Sequence, residues 1–193
     1  MSDRARFTAA ILLAMAGLLG ACASRPTGDA GGGGPLIRRA SVDPARLELA
    51  PLDYTRFCMS HRTECELGVP DAVIGMTPEV EAEIHRVNRD VNQRIRPVKQ
   101  TFDWRIDPES GNCNDYVVSK RHALMASGLP ASALLIAVVT TPAGEGHLVL
   151  IARTDRGDLV LDNLTPEIRR RGETAYLWIK RQSPSHAVLW ERM

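Results

Sequence analysis

The feature that most restricts the fold of this chain is a change of hydrophobic period near residue 130. Before it, Val80, Ile84, Val87, Val91 and Ile95 recur at steps of three and four residues, which lays one apolar stripe along a helix. Thr77 is a suitable N-cap, Pro78 suits the first helical position, and Pro97 ends the run. A second helix is predicted from Asn112 or Cys113 to Ser127, stopped by Gly128 and Pro130, with Val117, Ala123 and Leu124 facing the core. Beyond that point the period is that of strands: "SALLIAVVTT", "HLVLIAR", "LVLDN", "AYLWIKRQ" and "HAVLWER", with "PAGEG" and "TDRGD" as turns. Helices first and an antiparallel sheet afterwards define the α+β class.

The start of the chain follows a different logic. "MSDRARFTAAILLAMAGLLGACAS" places Arg4 and Arg6 before an apolar run and small residues, the layout of a secretory signal. The run is shorter than the ~20 residues that cross a bilayer. Leu19-Gly20-Ala21-Cys22 resembles a bacterial lipobox, which implies cleavage before Cys22 and lipid on that residue; several acyl chains there would anchor the protein stably. Plain secretion with an incidental Cys22 is the alternative. The expected organisation is a lipoprotein-type signal over 1–21, a flexible Gly-rich tether over 22–44 and a single domain over 45–193. The protein is expected on the periplasmic side of a bacterial membrane. Ala23 and Ser24 in place of an Asp point to the outer one. A net charge of +1 gives no argument for a nucleic-acid partner.

Export changes how the other cysteines are read, because the periplasm is oxidising. Cys58 and Cys65 in "FCMSHRTEC" are expected to form a disulfide; a zinc site of Cys58, His61 and Cys65 competes, but lacks an evident fourth ligand. Cys113 is then unpaired. At a helix N-terminus, free backbone N–H groups and the helix dipole favour a thiolate there, and the same groups suit an oxyanion. A thiolate catalyst needs an imidazole and an acceptor that orients it. His147 opens one strand and Asp162 closes the next, so a tight hairpin at "TDRGD" makes them diagonal neighbours on one face. His85 is expected at the surface or boundary. Tyr116 and Lys120, one and two turns after Cys113, are expected to be packing and surface residues.

"GNCNDYVVSKRHALMASGLP", "GEGHLVLIARTDRGDLVLDN" and "YLWIKRQS", in that order, resemble the bacterial transglutaminase-like cysteine peptidases, of the wider papain and transglutaminase fold group. The resemblance covers roughly residues 50–190. It implies a transglutaminase-like fold, a Cys113–His147–Asp162 triad, peptidase activity on a protein or peptide substrate, and no cofactor. Some relatives bind calcium through acidic residues beside the cysteine. Here those positions are Asn112 and Asn114, which removes two negative charges and argues against tight calcium binding. Trp104 is weighed as a cleft or oxyanion residue against a structural aromatic. Two further readings stand beside the peptidase: acyl transfer to an amine on the same triad, as in a transglutaminase or amidase, and a non-catalytic binding module that keeps the fold.

Overall fold

The computed structural model of the chain describes residues 44–99 and 103–193. The expected signal, Cys22 and nearly all of the expected tether lie outside the described residues. Two of the helices follow the sequence pattern. Helix α2 (Pro78–Arg94) starts where the Thr77 hydroxyl oxygen accepts the Val80 N–H at 3.3 Å. Its stripe is enclosed, with Ile84, Val87 and Val91 at 2% exposure or less and Ile95 just beyond its end at 1%. Burying side chains of this size contributes about 1.5–3 kcal/mol each. Helix α3 (Cys113–Ala126) buries Val117 and Leu124, with Ala123 partly buried against them, and Gly128 takes the left-handed φ of +92° just past its end.

Helix α1 (Leu52–Ser60) is an addition to the sequence expectation: its polar residues conceal a buried face of Tyr54, Phe57 and Cys58. A disulfide joins Cys58 to Cys65, so those two sulfurs are not metal ligands as the zinc alternative required. Trp104 packs among aromatic rings, 5.2 Å from Tyr54 and 6.3 Å from Phe57 between centroids, and is 6% exposed.

Among the described residues the main sheet has seven antiparallel strands: β1 (Leu47–Leu49), β4 (Leu134–Thr140), β5 (Gly146–Ala152), β6 (Leu159–Leu161), β7 (Arg169–Arg170), β8 (Leu177–Gln182) and β9 (Leu189–Arg192). Their spatial order is β1-β9-β8-β4-β5-β6-β7. The unbroken apolar run of β4 has a plain cause, since both of its faces are covered. Leu134 and Ile136 join the core beneath the helices, whereas Leu135, Ala137 and Val139 join a second cluster with Val149, Ile151 and Val160, capped by Tyr176 and Trp178. A short parallel pair, β2 (Arg96–Pro97) with β3 (Ser110–Gly111), closes the loop before α3 and so sets where that helix begins.

One expectation about α3 is corrected. Lys120 is not a surface residue: it is 1% exposed, and its neighbour Arg121 is 2% exposed. The Arg121 guanidinium donates to the main-chain carbonyls of Leu134, Ala131 and Glu64, and the Glu64 carboxylate meets His122 Nδ1 at 2.6 Å. The disulfide segment is thereby tied to the helix that carries Cys113.

Candidate active site

Cys113 is the free cysteine among the described residues and is partly exposed. Its place at the first position of α3 is set by a reciprocal cap. Asn112 Oδ1 accepts the Asn114 N–H at 3.1 Å, while Asp115 Oδ2 accepts the Asn112 N–H at 3.0 Å. Asp115 is fully buried and is further held by the Arg105 N–H on Oδ1 at 2.8 Å and by the Arg105 guanidinium at 3.5 Å. Gly111 lets this cap close: a Cβ there would meet Asp115 Oδ2 at 2.5 Å. The N–H of Cys113 itself, at the start of the helix, has no acceptor four residues back within it.

β5 and β6 pair with Leu150 opposite Leu161 and Ala152 opposite Leu159. One further step of that register sets Asp162 opposite Val149, and His147 lies diagonally across. The connection is longer than a tight hairpin, but its turn is ordered by Thr154, whose main-chain carbonyl accepts the Gly157 N–H at 3.1 Å. His147 and Asp162 are buried, at 6% and 2% exposure, and His147 Nε2 meets Asp162 Oδ1 at 2.8 Å. The Cys113 side chain acts on the His147 ring electrostatically, raising its pKa alongside Asp162, while the thiol itself donates to Asn114 Oδ1 at 3.8 Å. With Nε2 taken by Asp162, Nδ1 is the nitrogen left for the sulfur. A helix tip and two strand ends thus supply the sulfur, the imidazole and the carboxylate, the last two in direct contact.

The electrostatics match this arrangement. Burial disfavours the charged His147 ring, but the hydrogen bonds and negative charges of Asp162 and Cys113 outweigh it and raise the ring to about 9. Burial likewise works against the Asp162 carboxylate, and bonds from His147, Tyr176 and the Leu164 N–H overcome it, holding the carboxyl below its ordinary value. The Leu164 N–H reaches Oδ1 at 3.0 Å, and the Tyr176 hydroxyl donates to Oδ2.

Residues 45–193 match the family described as bacterial transglutaminase-like cysteine proteinase, or BTLCP. The chain belongs to that family. It is a transglutaminase-like cysteine peptidase, a hydrolase, and a protein substrate is what such a peptidase takes. Among solved structures, it is similar to LapG of Legionella pneumophila in a calcium-bound form, with TM-score 0.52 and 21% identity over 58% of this chain and 68% of LapG. A second LapG structure from the same organism gives TM-score 0.50 and 22% identity, covering 58% of this chain and 67% of that one. These likenesses carry the transglutaminase-like fold. Comparison with curated protein sequences finds no match.

Two residues around this candidate site were not anticipated in it. Tyr176, on the loop before β8, opens the "YLWIKRQS" segment, but nothing in that segment ties it to Asp162, and only folding brings the two together. Lys120 did carry a signal: it lies two full turns after Cys113 and so on the same helix face. Its ammonium donates to the Asp162 carbonyl at 2.7 Å. Beside Asp162 runs an open groove of about 210 Å³ lined by Pro142, Val160, Leu164, Thr174 and Tyr176 among others. Trp104 borders a separate groove with Phe57 and His61, and His85 is exposed on α2.

Proposed function

We propose that this protein is a lipid-anchored periplasmic cysteine peptidase that works through Cys113, His147 and Asp162. The observation that carries the reading is the buried His147–Asp162 pair at 2.8 Å, whose ring is raised to about 9 by Asp162 and by the Cys113 side chain at the start of α3. The sulfur attacks a peptide carbonyl as the thiolate, and the Cys113 N–H at the start of α3 faces the developing oxyanion. His147, protonated up to about pH 9, gives its proton to the departing amine, leaving a thioester on Cys113. The now neutral ring takes a proton from water, hydroxide adds to the thioester, and the thiolate leaves. Asp162 keeps the ring in the tautomer and orientation this shuttle requires.

LapG has been solved with calcium bound. The residues beside Cys113 do not suit that ion here. Asp115 gives its two carboxylate oxygens to N–H groups and Arg105, the Asn112 oxygen is held by the Asn114 N–H, and the Asn114 oxygen receives the Cys113 thiol at 3.8 Å. A calcium site needs six to eight oxygens and gains from their negative charge. We infer activity without calcium, so EGTA should leave turnover unchanged.

The peptidase reading is tested with p-nitrophenyl acetate, an activated ester that needs no knowledge of the natural substrate. The wild-type protein should acquire one acetyl group on Cys113 and turn over. Cys113→Ala should do neither, and His147→Ala should not turn over. Turnover that survives in Cys113→Ala would sink the assignment. An added amine that consumes the thioester faster than water does would shift the reading towards acyl transfer. For the anchor, Cys22→Ser should move the protein from the membrane to the soluble fraction, and a protein that stays on the membrane would refute lipidation at Cys22.

A further inference from the structure

α3 carries two chemically notable residues, and the triad uses only one of them. Cys113 and Lys120 are seven residues apart, which is ~10.5 Å along the axis and nearly the same angle around it. Lys120 is 1% exposed, and among the described residues no carboxylate oxygen receives its ammonium directly; it donates to the main-chain carbonyl of Asp162 at 2.7 Å. The same carbonyl accepts from Asn92 Nδ2 of α2 at 2.8 Å. The Tyr116 ring lies 6.0 Å from the ammonium.

An enclosed ammonium is costly, and a methionine of similar length would fill the space without that cost. Burial depresses Lys120 to about 7, against the pull of the Asp162 charge. A structural task alone does not explain the choice, because α3 already packs through Val117 and Leu124. The geometry around Asp162 does explain it. β6 ends at Leu161, so the main chain at Asp162 has left the sheet ladder, and among the described residues its carbonyl has no strand partner. Two helix side chains supply what the sheet does not.

Resting on the triad reading above, we propose that Lys120 is a positioning residue: with Asn92 it clamps the Asp162 main chain, so that the helix presenting the nucleophile also fixes the carboxylate that orients His147. α3 then acts as a ruler between the sulfur and Asp162. Misplacement of a catalytic group by about 1 Å can cost on the order of a hundredfold in rate. The residue touches no reacting atom and acts through Asp162.

The test reads His147 itself. The ring is titrated by NMR in the wild-type protein, Lys120→Met, Asn92→Ala and Asp162→Asn, and acylation of Cys113 by p-nitrophenyl acetate is timed in each. Loss of the clamp should lower the His147 pKa from about 9 by roughly one unit or more in Lys120→Met. Acylation should slow about tenfold or more. Asn92→Ala should move both in the same direction by less. A His147 titration unchanged from wild type in Lys120→Met overturns the clamp. So does an upward shift, which is what removal of a nearby positive charge would do by itself. If Lys120→Met does not fold, Asn92→Ala decides, and a wild-type curve there overturns the proposal. If Asp162→Asn also leaves His147 at its wild-type value, the triad reading fails and the clamp falls with it.

Discussion

Replacing Tyr176 by Phe isolates one hydrogen bond at the centre of the site. The Tyr176 hydroxyl donates to Asp162 Oδ2, while Oδ1 keeps its bonds from His147 at 2.8 Å and the Leu164 N–H at 3.0 Å. The ring itself, 6.0 Å from the His147 centroid, stays in place in Tyr176→Phe. A bond to an ionised, buried carboxylate contributes about 1.5–3 kcal/mol. Tyr176 is half-buried, so the lower part of that range applies, about 1.5–2 kcal/mol. At about 2–4 °C per kcal/mol for a domain of this size, Tm should fall by roughly 3–8 °C. The sign of the pH dependence follows from Asp162. Its carboxyl is held below its ordinary value, so the stabilisation is present above the unfolded pKa of about 3.9 and is lost as pH falls through the native value. Urea unfolding at pH 7, 5 and 3 measures this directly. The gap between the two proteins should be full at pH 7 and 5 and smaller at pH 3. A gap below about 0.5 kcal/mol at pH 7, or one that does not change with pH, would refute the assignment of Tyr176 as a donor to the Asp162 carboxylate.

Other perturbations test the surroundings. Gly111→Ala drives a Cβ to 2.5 Å from Asp115 Oδ2 and 2.6 Å from its Cβ, so the cap before Cys113 must open. Stability should drop by about 1–3 kcal/mol, with a loss of acylation rate larger than that of a variant equally destabilised elsewhere, measured by urea melts and p-nitrophenyl acetate. The alkaline limb of the pH–rate profile should lie near pH 9, where His147 loses its proton, and should move down in Asp162→Asn. The same titration has a stability side. The raised His147 stabilises the fold fully below about pH 6.5, and that contribution is lost as pH rises through about 9. Removing the Cys58–Cys65 disulfide, with a sequence separation of 7, should cost roughly 2–3 kcal/mol in urea, read in the Cys58→Ser, Cys65→Ser double variant.

Much of the frame was legible because it rests on local rules. The α2 stripe, the Thr77 cap, the Gly128 stop and the buried strand at β4 each depend on residues within a turn or a few positions of one another. The diagonal placement of His147 and Asp162 follows from strand period and antiparallel pairing, although the connection proved longer than a tight turn. α1 escaped because its polar residues mask a short buried face, and the edge strand β1 escaped because three residues carry too little pattern.

From sequence alone came the period of each element, the pairing of the two close cysteines and the thiol at a helix start, since each is decided by neighbours along the chain. The tertiary structure alone decided which polar groups are enclosed. Lys120 reads as a solvent-facing charge by its type, yet it meets a carbonyl 42 positions away. Tyr176 finds Asp162 across 14 positions with no periodic signal between them. The physical reason is that burial of a polar side chain belongs to the packing of distant segments, and no window of local sequence contains that information.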